Sequence, residues 1–320
     1  MKYKKKMVKL IFRYFCLKLI CYIIHKDIIP HPIMQDTGKF RTNAMDQFYT
    51  SPTVAASCIA LILKHVPHAN KCVWVEPSAG NGSFLHNVPP LIKKIGIDLD
   101  PKSPDILKQD YLEWSPATTG TTAITATIPM LVFGNPPFGR QSSLAKAFIT
   151  KSCTFADVIA FILPKSFTKP SMFNAFDLKF HCVHSAELPV NSFVLNGAPY
   201  DVPCVFQIWQ KKTVNRAVET AVPAIGFQYV KVNVDDVMIY DVAFRRVGVY
   251  AGKCFANDGT TSYSAQSHHF LKFDDACMPF MGSIIEKINA HTFPSNTVGP
   301  RSLSKSEINV VLNDVVAITI

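Results

Sequence analysis

The chain lacks any arrangement of cysteines that would build a framework. Its nine cysteines are scattered, with no CxxC pair and no Cys/His cluster at zinc spacing. An odd count without a pattern excludes a disulfide-stapled secreted scaffold and fits a reducing, intracellular compartment, cytoplasm or nucleus. No metal is expected. Internal repeats and low-complexity tracts are absent too, and so is a clean secretory signal. Val8 to Ile29 is largely apolar, but Arg13, Lys18, His25 and Lys26 interrupt it, and no small-residue cleavage site follows. A bilayer-spanning helix there would bury at least two cations at substantial cost. Residues 1–44 are therefore expected to be a basic, apolar extension of the main domain. An interfacial basic helix and a start placed too early, upstream of Met34 or Met45, stay open as readings, with membrane contact the least favoured.

The body of the chain also lacks a strong charge. The formal net charge is +10, yet residues 1–41 hold ten Lys/Arg against only Asp27 and Asp36, leaving 23 basic and 21 acidic residues beyond them. A nucleic-acid surface on the body must be a local patch and not a global field. With 320 residues, 48% of them hydrophobic, the chain can bury one good core and a smaller second lobe.

From residue 46 onward, short apolar strands alternate with helical patterns. Helices are expected at Thr53 to His65, from Ser83 to His86 onward, and at Leu144 to Phe155. Strands are expected at Val73–Val75, Ile95–Asp98, Leu131–Gly134, Val158–Leu163 and Val202–Gln210, with a further strand end near Lys108. Such alternation means a mainly parallel sheet covered on both faces. Beyond Lys212 the β-branched residues, Gly and Ser/Thr increase, as in Phe227 to Val234 and Val247 to Tyr250, and a smaller β-containing lobe over 213–320 is expected.

The chemistry lies at strand ends. Asn135-Pro136-Pro137-Phe138 follows an apolar run that two prolines cannot continue, so the chain turns at the edge where open α/β sheets place ligands. The turn offers an amide oxygen, constrained carbonyls and an exposed aromatic face, suited to an exocyclic NH2 on a flat ring. Upstream, Glu76-Pro77-Ser78-Ala79-Gly80-Asn81-Gly82 leaves the first strand, and small residues there let the backbone approach a ligand closely. The loop lacks the third glycine of a dinucleotide fingerprint and is led by an acid where a phosphate site would want Lys. About twenty residues on, Asp98-Leu99-Asp100 ends the second strand, where a carboxylate accepts bonds from ribose hydroxyls. Asp110 and Tyr111 stand at the third strand end. Three acids ending three successive strands suit a nucleoside without phosphates.

In this order, Phe48-Tyr49-Thr50-Ser51-Pro52, Glu76 to Phe84, Ile97 to Asp100, Asp110 and Asn135 to Phe138 resemble the S-adenosylmethionine-dependent N6-adenine methyltransferases. The likeness is greatest to DNA modification methylases with a C-terminal target-recognition region, and it covers roughly residues 46–212. The resemblance implies an α/β fold, a Rossmann-like class I methyltransferase sheet with helices on both faces plus a smaller C-terminal lobe, and divides the chain into 1–44, 45–212 and 213–320. It implies S-adenosylmethionine as cofactor, with Phe48, Tyr49, Thr50 and Pro52 over the methionine end. Glu76, Ser78, Ala79, Gly80, Asn81 and Gly82 would surround the amino acid, Asp98 would hold the ribose, and Asp110 the adenine, flanked by Leu99 and Tyr111. Asn135, Pro136, Pro137 and Phe138 would be catalytic. The family commonly ends this motif in Tyr, and Phe138 lacks that hydroxyl.

Adenine in DNA is the expected target, by direct attack of N6 after base flipping. Arg140, Lys165, Lys169, Arg245, Arg246 and Lys253 are the candidate phosphate contacts, and Phe167 a candidate wall of the target pocket. RNA adenine, a protein glutamine amide, and a non-catalytic nucleic-acid-binding scaffold are the alternatives. Intact cofactor and Asn motifs oppose the last of these. His268-His269 has no expected chemical role.

Overall fold

Short strands, buried on both faces in the middle of the sheet and half-exposed at its edges, build a seven-stranded sheet. The computed structural model describes residues 48–116, 128–218, 220–232 and 240–320, and the N-terminal extension expected over 1–44 lies outside them. In chain order the strands are β1 (Tyr49–Thr50), β2 (Val73–Glu76), β3 (Lys94–Asp98), β4 (Ile106–Lys108), β5 (Met130–Gly134), β6 (Val158–Pro164), β7 (Phe180–Glu187), β8 (Phe193–Leu195), β9 (Ala198–Tyr200) and β10 (Cys204–Lys211). The large sheet has the order β4-β3-β2-β5-β6-β10-β7. β2, β3, β4, β5 and β6 run parallel, with Val75 opposite both Ile95 and Val132, while β10 is antiparallel to β6 and β7. The chain winds outward from β2 to β4 and returns on the other side at β5, so the gap between the ends of β2 and β5 is the topological switch point.

Each face is covered, as the alternation of strands and helices predicts. Helix α1 (Pro52–His65) starts at Ser51, whose hydroxyl accepts from the Val54 amide, with Pro52 in the first turn where its missing N–H costs nothing. Its Ile59 and Ile62 pack with Trp74, Leu131, Phe133 and Phe206. Helix α2 (Ser143–Cys153) covers the opposite face, where Ala145, Phe148 and Ile149 meet Val73, Val75, Val132 and Phe161. Neighbouring residues of one strand thus serve different cores, as a period of two requires.

The helix expected from Ser83 is not there. The chain makes only a 3₁₀ turn at Leu85–Asn87, because Pro89 and Pro90 follow and end any helix before it gains a second turn.

After Lys211, strands β11 (Phe227–Val230), β12 (Val242–Arg245), β13 (Cys254–Ala256) and β14 (His268–Phe273) form a separate antiparallel sheet in the order β11-β14-β12-β13. Phe227, Val242, Phe244 and Leu271 on its inner side pack against α4 (Met281–Ala290) and α5 (Lys305–Ala317), after the single-turn α3 (Pro170–Phe173) of the larger sheet. Val247 to Tyr250, expected to carry strand character, is a turn tied down by one bridge from Val247 to Ser302. Of the segment expected from Phe227 to Val234, residues 233 and 234 lie outside the described ones. Among the described residues no helix is long and apolar enough to cross a membrane.

Candidate active site at the switch point

The ends of β2, β3, β4 and β5 surround one cavity of about 370 Å3. Phe48, Tyr49, Thr50, Glu76, Ser78, Ala79, Gly80, Asn81, Asp98, Leu99, Asp110, Tyr111 and the whole turn Asn135, Pro136, Pro137, Phe138 line it. Residues from Phe48 to Phe148 meet there, largely because parallel strands end on the same edge. The structure does not bring Pro52 or Gly82 to the cavity wall. Pro52 opens α1, and Gly82, at φ +79°, lies against the His86 ring.

Local hydrogen bonds hold this wall in shape. The Gly80 amide donates to Asp98 Oδ2 at 2.7 Å and the Asp100 amide to Asp98 Oδ1 at 2.8 Å. Asp98 is thereby oriented by two amides and keeps further lone pairs for a ligand. The Ser78 hydroxyl donates to the Asn135 carbonyl at 3.0 Å, joining the β2 loop to the β5 turn. Asp110 accepts from the Leu112 amide at 2.8 Å. Leu99 is 66% exposed and forms an apolar rim.

Asn135 is pinned. Its Nδ2 donates to the Phe48 carbonyl at 3.0 Å, which directs Oδ1 the other way, and that oxygen is buried without a partner. Thr50 Oγ1 and Glu76 Oε2, on the same cavity, are likewise buried and unpartnered. Burial is the main cause that raises the Glu76 pKa well above its usual value, with the Leu85 backbone N–H working against it. The site is a largely apolar pocket, and three of the residues that line it, Thr50, Glu76 and Asn135, each carry a buried oxygen without a partner. It suits a flat ligand rich in N–H and O–H groups.

Gly134 lets the turn approach Glu76. Its φ is +123°, and a Cβ there would lie 3.1 Å from Glu76 Cγ and 3.4 Å from its Oε1. Gly134→Ala is expected to destabilise the fold by roughly 1–3 kcal/mol, from backbone strain plus this contact. A lowered midpoint in thermal unfolding, with ligand binding weakened in parallel, is the measurement.

Several expected roles need correction. Phe138 is only 8% exposed and packs in the core on the α1 face, so the turn offers no open aromatic face. Tyr111 reaches the cavity, but its ring packs on Phe148 and Trp114 and its hydroxyl pairs with Ser152 Oγ at 2.7 Å, so most of it is core. Phe167 is fully buried and belongs to the other core.

Among the candidate phosphate contacts, Arg140 is exposed beside the Asn135–Phe138 turn. Lys165 pairs with Glu187 at 2.8 Å. Lys169 is buried, donating to the Ser302 carbonyl at 2.6 Å and to Glu307 at 3.0 Å, which makes it a tie between the large sheet and α5. Arg245, Arg246 and Lys253 bond the carbonyls of Val247, Gln266 and Asn289, so each already secures a loop. Long flexible cations find backbone acceptors that only the folded chain supplies.

Asp100, read with the second strand end, lines the cavity too, and other groups there escaped the sequence reading: Gln109, Leu144 and Phe148. Leu144 and Phe148 stand four apart on α2, a spacing that puts them on one face. The hairpin of β8 and β9 pairs with β1 and stacks Tyr200 on Phe48 at 5.2 Å, holding the cavity lid strand in place. Its signal was the dipeptide Asn196-Gly197, with φ of +51° and +80°, between two short apolar runs. Among the described residues no group of three metal-ligating side chains occurs.

No protein-family model matches the sequence, and no curated protein matches it. Solved structures share its sheet at a distance. A protein from Pyrococcus horikoshii, provisionally described as an RNA methyltransferase, is 15% identical over 55% of this chain and 92% of its own, with a TM-score of 0.41. A Listeria monocytogenes protein, provisionally described as a class I S-adenosylmethionine-dependent methyltransferase, is 15% identical over 55% of this chain and 64% of its own, with a TM-score of 0.40. The methyltransferase subunit of a type I restriction-modification system from Streptococcus thermophilus is 15% identical over 87% of this chain and 60% of its own, with a TM-score of 0.39. These likenesses are too distant to bear on chemistry, which rests on the side chains described above.

Proposed function

We propose that the chain binds S-adenosylmethionine in this cavity and methylates the N6 amino group of adenine in DNA. The observation that carries this is the set of three unpartnered buried oxygens, Thr50 Oγ1, Glu76 Oε2 and Asn135 Oδ1, around one cavity. Each unpaired buried polar atom costs about 1–3 kcal/mol. Three around one space are therefore expected where a donor-rich ligand completes the site.

The residues fit that cofactor. Glu76 suits the α-ammonium of an amino acid, Asp98 a ribose diol, and Asp110 the amino group of an adenine, with Leu99 against the ring. S-adenosylmethionine supplies an electrophilic sulfonium methyl when bound. The chain itself orients the acceptor. The N6 lone pair is delocalised into the ring, so N6 is a weak nucleophile. Asn135 Oδ1 and the Pro136 carbonyl would accept hydrogen bonds from its two N–H groups, which favours a pyramidal nitrogen and stabilises the positive charge that builds as the N–C bond forms and the sulfonium C–S bond breaks; the surplus N6 proton then passes to water. Pro137 restrains the turn, and Phe138 forms its apolar backing. No general base is required, and no covalent enzyme intermediate forms.

A base in duplex DNA must leave the stack, at a cost of a few kcal/mol. A nucleic acid is favoured over a protein by the smaller C-terminal sheet, whose residues 242–256 contain no acid while carrying Arg245, Arg246 and Lys253.

The test is to incubate the full chain with methyl-labelled S-adenosylmethionine and DNA, RNA or protein separately, then digest and identify the product. N6-methyladenine from DNA is the expected result. Label found only in RNA would reassign the polymer, and label only in glutamine would overturn the assignment.

A further inference from the structure

The turn at Val247–Ala251 carries the most exposed pair of adjacent apolar residues in the smaller sheet region, Val249 at 86% and Tyr250 at 67%. It is not a loose loop. The Gly248 amide donates to the Arg301 carbonyl at 2.9 Å, Ala251 to Gly248 at 3.0 Å, Gly252 to Arg245 at 2.8 Å and Lys253 to Tyr250 at 3.1 Å. Gly248 at φ +103° and Gly252 at φ +101° allow the chain to reverse this tightly. A rigid turn that holds Val and Tyr in solvent gains nothing for folding from either side chain. Their place points to a partner.

The surroundings say which partner. Residues 242–256 carry three cations and no acid, and 292–306, which run beside the turn through the Val247–Ser302 bridge, carry Arg301 and Lys305 and no acid. The turn also faces the right edge of the molecule. Ser302 accepts from Lys169, which follows directly on the turn that leaves the C-terminal end of β6. β6 lies beside β5, whose end carries Asn135, and Val298 of the same segment packs on the core that includes Phe138. An apolar tip, a cationic base and a position on the ligand edge together match a nucleic-acid duplex.

Resting on the function proposed above, we infer that Val249 and Tyr250 form an apolar wedge that enters the stacked bases of bound DNA. The wedge occupies or props open the stack while the target adenine is held in the cavity. Lys253, exposed beside the turn, has donors left over from its bond to the Asn289 carbonyl and supplies the phosphate contact.

The test uses the full chain with S-adenosylmethionine and a fluorescent mixed-sequence DNA duplex, with anisotropy measured across a salt series. Stacking on a base is salt-insensitive, whereas phosphate contacts set the salt slope. Tyr250→Ala is expected to weaken binding roughly 10- to 100-fold at every salt concentration and to leave the slope of log K against log salt unchanged. Tyr250→Trp should retain binding, and Lys253→Gln should lower the slope by about one. Thermal unfolding and cofactor affinity of the Tyr250 variants should match wild type, as both residues stand in solvent. Wild-type duplex binding by Tyr250→Ala would overturn the wedge, as would a shallower slope for that variant or a changed oligomeric mass in light scattering, which would mark a second copy as the occupant. If wild type methylates DNA and Tyr250→Ala binds normally, only the wedge fails. If wild type transfers no methyl group to any polymer, the assignment of the cavity fails first.

Discussion

Asn135→Ala is expected to lower methyl transfer roughly 100- to 1,000-fold, the loss found when one group aimed at developing charge is removed. Affinity for S-adenosylmethionine should stay near wild type, because in the proposed arrangement Oδ1 contacts the acceptor while Glu76, Asp98 and Asp110 hold the cofactor. The Asn135 amide also donates to the Phe48 carbonyl, so some loosening of β1 is expected along with the chemical loss. Single-turnover rates together with calorimetric cofactor titration separate the two. A rate close to wild type would remove Asn135 from the reaction, whereas equal losses in rate and cofactor affinity would make it a structural pin for Phe48.

Glu76→Gln should have the second largest effect, in opposite directions for binding and stability. Loss of the charged partner of an ammonium is expected to weaken cofactor binding roughly 10- to 100-fold. The stability effect follows from burial. Desolvation raises the Glu76 pKa in the folded protein well above the ordinary 4.5, so the folded state holds its proton more tightly than the unfolded chain. Between those two values the native state binds more protons, and stability falls as pH rises through the window. The ligand-free wild type should therefore lose thermal stability as pH rises above about 4.5, and Glu76→Gln should lose less. Adding S-adenosylmethionine should restore the wild type and not the variant. Melting curves at a series of pH values, with and without cofactor, provide the comparison. Parallel pH profiles for the two proteins would mean that Glu76 ionises freely in the open cavity.

Both predictions rest on groups that the sequence singles out, and the reason lies in the strands. Val73–Glu76, Lys94–Asp98 and Met130–Gly134 are short apolar runs closed by an acid or a proline turn, and these signals are local. Parallel strands then place all their C-terminal ends together, so Glu76, Asp98 and Asn135 meet although they are far apart in the chain. Two local signals were also present and went unread. Pro89-Pro90 leaves no room for the helix expected from Ser83, and Asn196-Gly197 announces the hairpin that seats Phe48.

Long-range packing decided the rest. Phe138 looks like an exposed ring beside a turn, yet the core on the α1 face takes it in. Lys169, Arg246 and Lys253 look like free cations, but they bond carbonyls that arrive from other segments, those of Ser302, Gln266 and Asn289, while Arg245 bonds the Val247 carbonyl of its own turn. The body of the chain is nearly neutral, so no field revealed in advance which cations would be used for structure.

By itself, then, the sequence determined the strands of the large sheet apart from β7, the acids at their ends and the turn that follows β5, because periodicity and turn chemistry act over a few residues. Only the tertiary structure decided that Thr50, Glu76 and Asn135 keep unpartnered oxygens in one cavity, and that Val249 and Tyr250 stand out on a rigid turn. Whether a polar atom is satisfied, or an apolar one covered, depends on what the fold brings within hydrogen-bonding or van der Waals distance, and those neighbours come from distant parts of the chain.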